Sequence, residues 1–108
     1  MLYDKRWDEK LPTAPAEPWR EILNRAADIL EQDGWCQGTL HRDTASCAVG
    51  AMVLAARRSL NGPFQLATHQ LERHLGRSGH VISIPDWNNA PERTQAEVIA
   101  TLRACAES

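Results

Sequence analysis

Cys47, His80 and Asp86 are the residues of this chain whose types and order could form a nucleophilic centre. Cys47 opens an uncharged run, where the amide dipoles of a helix N-terminus would favour its thiolate. His80 would serve as base, and Asp86 or Asn88 would orient the imidazole. The chemistry would be thiol-dependent hydrolysis or group transfer with Cys47 as the nucleophile. The competing reading makes Cys47 a small buried hydrophobe at the start of a core helix. A chain of 108 residues also offers little wall for a substrate cleft.

A metal is the second chemistry to weigh. Cys36, His41 and Cys47 could ligate zinc, with His69, His74 or His80 as the fourth ligand. Their spacings do not match a zinc knuckle, and Cys-x-x-Cys is absent. No metal and no cofactor are expected. The third chemistry is anion binding. Arg57, Arg58, Arg73 and Arg77 flank one predicted helix that carries His69 and His74, opposed by Glu72. The net charge of −2 argues against nucleic acid, so this region reads as a solvated face.

The elements that position these groups follow from pattern. Pro12, Pro15 and Pro18 break any helix near the start, so residues 1–17 read as an extended arm and residues 18–108 as one helical domain. The arm carries Tyr3 and Trp7, large apolar groups that suit docking on the domain or on a partner. Pro18 suits the first position of a helix ending at Asp33, with Gly34 beyond it. Residues 35–43 read as an extended segment. The stretch 47–59 begins apolar all round and rich in small residues, which predicts a helix buried on all sides at the centre of the fold. Pro63 opens a third helix to Leu75, with Gly76 as its stop. Residues 79–84 read as a short strand and residues 86–91 as a tight connection. Thr94-Gln-Ala-Glu97 is a capping box that starts the last helix. The expected fold is mainly α: about four helices around the helix 47–59, with an optional two-stranded ribbon of 35–41 and 80–84.

No apolar run approaches the roughly 18 residues that a membrane span needs. The N-terminal stretch has no apolar secretory core, and three cysteines are an odd count. Reduced thiols in the cytoplasm are the simpler expectation.

Four phrases occur together: Gly34-Trp35-Cys36-Gln37-Gly38, Cys47-Ala48-x-Gly50-Ala51, Trp87-Asn88-Asn89 and Arg93-Thr94-x-x-Glu97-Val98. As a set, over residues 19–106, they resemble a family of short uncharacterised bacterial and bacteriophage proteins, a domain of unknown function. In that family the third phrase usually reads Trp-Asn-Asp, so Asn89 departs from the pattern. The resemblance implies no activity, cofactor or catalytic residue. The order cysteine, histidine, acceptor is also similar to that of papain-like thiol enzymes, whose flanking signature is missing here.

The expected function is a non-enzymatic protein-binding or regulatory module, of a phage or mobile-element type that interferes with a host system. Tyr3, Trp7, Asp86, Asn88 and Asn89 are its expected contact residues. The alternative is a small papain-like hydrolase or transferase using Cys47, His80 and Asp86.

Overall fold

Pro18 occupies the first turn of helix α1, Pro18–Asp33, as its missing N–H allows. Trp19, Ile22, Leu23, Ala26, Ala27 and Leu30 recur at steps of three and four and are all buried. Gly34 ends the helix with a left-handed φ of 104° and donates its N–H to Leu30 O at 3.1 Å. The computed structural model describes residues 17–79 and 82–108. The arm with Tyr3 and Trp7 lies outside them, as does His80.

The chain then turns through a two-residue loop, Asp43-Thr44, between strands β1, His41–Arg42, and β2, Ala45–Ser46. They pair antiparallel, with His41 opposite Ser46 and Arg42 opposite Ala45. The small ribbon is therefore local, not the predicted pairing of 35–41 with 80–84. Ser83 caps a short helix α4, Ile84–Asn88, by accepting from Asp86 N at 3.2 Å, and Pro85 suits its first turn. A strand ending at Ile84 is thus replaced by a helix beginning there, and the predicted connection at 86–91 is partly helical.

Helix α2, Ala48–Ala55, has no exposed residue, as its uncharged sequence predicts. It stops four residues short of Ser59. Arg58 N–H bonds Val53 O and Arg57 N–H bonds Leu54 O, both at 2.9 Å, which is a Schellman closure. Arg57 and Arg58 take left-handed φ values of 56° and 64° to make it. Helix α3, Pro63–Arg77, buries Ala67, Leu71 and Leu75 and runs through Gly76 to a cap at Ser78.

Helix α5, Gln95–Glu107, starts at Thr94, whose Oγ1 accepts from Glu97 N at 3.2 Å. The expected return bond from Glu97 is not made, because its carboxylate pairs with the Arg93 guanidinium at 2.7 Å. A charged donor outcompetes a backbone amide. Gln95 reaches Leu30 O at one end of α1, and Arg20 reaches Ala106 O at the other, so α1 and α5 run antiparallel. Arg103 adds a bridge to Asp28 and Glu31. Helix α1 is the element that touches α2, α3 and α5 alike. Helix α2 is well buried, but its eight residues are too short to reach them all.

Candidate functional site

Loop Gly34–Leu40 and helix α4 meet at the N-terminus of α2, and one fully buried side chain joins all three: Asn88. Its Oδ1 accepts from the Trp35 indole Nε1–H at 2.7 Å and from the Ala48 backbone N–H at 3.0 Å. Its Nδ2 donates to Cys36 O at 3.1 Å and to Asn89 Oδ1 at 3.0 Å. Asn89 Oδ1 also accepts from Gly38 N–H at 2.8 Å. Gln37 closes the circuit by donating from Nε2 to Asn88 O at 3.0 Å and to Ala90 O at 2.9 Å. Among the described residues every buried side-chain polar atom has a partner, so this network is satisfied throughout.

Two further groups hold the network in place. The Arg93 side chain is 4% exposed and lies with its guanidinium carbon 5.0 Å from the centroid of the Trp87 ring. Its Nε donates to Trp87 O at 2.8 Å, while Nη1 pairs with Glu97. Arg93 thus ties the C-terminal end of α4 to the start of α5. On the other side, Gly50 lies against the backbone carbonyl of Leu40. A Cβ there would lie closer to that oxygen than side chains can tolerate. The missing side chain lets loop 36–40 fold down on α2, where Leu40 O accepts from Cys47 N–H at 3.0 Å.

Cys47 is the N-cap of α2 and is buried. Its Sγ accepts from Gly50 N–H at 3.3 Å. Its sulfur thus serves as the cap of a helix. Cys36 is buried beside it and directs its Sγ at Thr39 O, 3.6 Å away. Burial pushes the Cys36 thiol up first, the proximity of Cys47 adds to this, and Arg42 opposes it. Asp86 is exposed in the first turn of α4. Asn88, expected on a contact surface, lies inside, while Asn89 keeps an exposed position beside it.

His41 is exposed and sets Nδ1 3.0 Å from Ser46 Oγ, which is itself buried. No three histidine, cysteine or acidic side chains among the described residues gather so as to hold a metal ion. A groove of about 440 Å³ lies beside the network, lined by Trp35, Cys36, Gln37, Arg42, Asp43, Thr44 and Ala45. The half-exposed side chain of Leu40 stands on the same loop. No helix among the described residues is long and apolar enough to cross a membrane.

Sequence reasoning placed Asp86, Asn88 and Asn89 in one loop and gave Trp35 and Gly50 a structural part without their partners, but it missed the roles of Gln37 and Arg93. The signal available was co-occurrence. The four phrases Gly-Trp-Cys-Gln-Gly, Cys-Ala-x-Gly, Trp-Asn-Asn and Arg-Thr-x-x-Glu supply nearly every member of the network. They are far apart in sequence and contiguous in space. Asn89 uses only an oxygen here, so an Asp at this position could make the same two bonds.

No curated protein and no solved structure matches the chain. The profile of one family, described as a Family of unknown function (DUF6197), matches residues 14–108 and so takes in the whole network. The chain belongs to this family of unknown function.

Proposed function

We propose that this chain is a non-enzymatic protein-binding module that acts in the cytoplasm. One observation carries the reading. The buried Asn88 network fixes a surface loop, and that rigid loop presents Leu40 with 49% of its surface exposed. A preordered apolar side chain amid polar neighbours binds with little further loss of entropy. Asn89 borders the same loop through Gly38, Asp86 is exposed on the neighbouring α4, and Tyr3 and Trp7 of the arm supply aromatic anchors of the kind that dominate interfaces. In this reading Asn88 positions the surface and does not touch the partner. The family resemblance to phage proteins supports a partner belonging to a host or rival system, an association and not a physical inference.

The test is affinity capture from a native lysate with the parent chain, a Leu40→Lys/Asp86→Lys variant, a chain lacking residues 1–14, and Cys47→Ser. The reading expects one stoichiometric partner, lost with the surface variant and weakened by the truncation, but retained with Cys47→Ser. A partner or substrate lost with Cys47→Ser alone, with the fold intact, would instead favour a thiol enzyme.

A further inference from the structure

Trp35 and Ser46 form a parallel bridge, with Ser46 N–H bonded to Gly34 O at 3.1 Å and Cys36 N–H bonded to Ser46 O at 3.0 Å. Cys36 and Cys47 follow the two bridged residues, and the Cys36 N–H bonds the very carbonyl that is peptide-linked to Cys47, so their backbones are neighbours. Paired residues on neighbouring strands lie about 4.8 Å apart and direct their side chains to the same side. That spacing falls within the range of roughly 4.4–6.8 Å between Cα atoms that a disulfide bridges. The coupling between the two thiols, which raises the Cys36 value, agrees with such closeness. The third thiol, Cys105, is fully buried on α5.

Both neighbouring thiols are buried, Cys36 at 7% and Cys47 at 6% exposure, but they differ in what they border. Cys36 lines the groove of about 440 Å³, whereas Cys47 does not. Arg42 lies on the same groove and forms no ion pair among the described residues, while Asp43 partly offsets its charge. The site is therefore a largely buried thiol bordering a groove that also holds a cation, with a second buried thiol next to it.

We propose that Cys36 and Cys47 are a redox-active dithiol that reacts with small anionic disulfides entering by the Arg42 groove. The Cys36 thiolate attacks one sulfur of the small disulfide. The S–S bond of the reagent breaks, and one thiolate leaves and takes up a proton, so Cys36 carries a mixed disulfide. The Cys47 thiolate then attacks Cys36 Sγ and expels the second small thiolate, which is protonated in turn. Two protein thiols are oxidised to one disulfide, and one small disulfide is reduced to two thiols. The inference is independent of protein binding, because it needs only the groove and the pair.

Oxidised glutathione is the probe, applied to the reduced native full chain, followed by an acid quench, unfolding and maleimide labelling. The expected product has lost two hydrogens, takes up one maleimide at Cys105, and yields a peptide linking Cys36 to Cys47. Cys47→Ser keeps an acceptor for Gly50 N–H and should halt with one glutathione on Cys36. Arg42→Gln should slow the first step several-fold, an effect that added salt removes in the parent. A first adduct on Cys47 or Cys105, a parent chain that halts at the mixed disulfide, or three free thiols under conditions that oxidise the urea-unfolded chain would each overturn the proposal. Should Cys47→Ser fail to fold, the peptide map of the parent chain alone decides.

Discussion

Asn88 Oδ1 lies 2.7 Å from the Trp35 indole nitrogen, across 53 residues of sequence. The same oxygen takes the Ala48 N–H, one of the amides that α2 leaves without an intrahelical partner. A single amide oxygen therefore joins the loop after α1 to the start of α2. The amide nitrogen of the same side chain holds Cys36 and Asn89.

The two neighbouring asparagines should respond oppositely to the same chemical change. Asn88→Asp removes the donor to Cys36 O and leaves a buried carboxyl, which should cost on the order of 3 kcal/mol. Asn89→Asp keeps both acceptor bonds at an exposed position and should stay within about 0.5 kcal/mol of the parent. Urea unfolding of both variants near neutral pH checks this. Equal losses would mean that Asn89 is held by something other than its oxygen.

Gly50 and Gly76 form a second matched pair, both inside helices. Gly50→Ala drives a methyl group into Leu40 O and should destabilise by about 1–3 kcal/mol, despite the better helix propensity of alanine. Gly76→Ala meets no atom within 4 Å and should stabilise by about 0.5–1 kcal/mol. Thermal melts of the two variants should shift in opposite directions.

Arg93 makes a bond to a backbone carbonyl, an ion pair and a ring contact at once. Arg93→Lys retains the charge but cannot reach Trp87 O and Glu97 in the same fork, so it should recover little of what Arg93→Ala loses, on the order of 2–3 kcal/mol. Thr94→Ala should cost about 1 kcal/mol through the lost cap. If Arg93→Lys matched the parent in urea unfolding, charge alone would be what Arg93 contributes.

Burial raises the Cys105 and Cys36 thiols above their ordinary value of 9.0. Once the pH passes that value the unfolded chain releases protons that the folded chain retains, so the unfolded state is favoured as pH rises. The contribution of these thiols is complete below pH 9 and is lost above it. Unfolding free energies measured at about pH 8 and about pH 10 should fall less steeply for Cys105→Ala than for the parent. An unchanged slope would place the Cys105 thiol in water.

Helix α1 was legible from Pro18 to Gly34 because the apolar period, the opening proline and the closing glycine agree. Helix α5 was legible from Thr94, although the partner of Glu97 was not, since Arg93 competes with the capping box from one residue outside it. The strand expected near 80–84 failed where Ser83 and Pro85 already spelled a helix start, and the apolar run around them obscured it. The central position expected for 47–59 went to α1, because apolar composition reports burial and not reach. The polar site was legible only as four phrases. Nothing in local pattern says that Trp35, Asn88 and Ala48 share one oxygen.

Hydrogen exchange at the Trp35 indole N–H tests most directly whether the Asn88 network is a rigid lock under the loop. Trp35→Phe assigns the signal, and a core amide such as that of Leu102 serves as reference. A lock requires the Trp35 indole and the Gly38 and Ala48 amides to exchange at rates close to that core amide, through opening of the whole domain. Exchange of the Trp35 indole as fast as an exposed loop amide, with Leu102 still protected, would show that the loop moves freely and would remove the basis for a preordered binding surface.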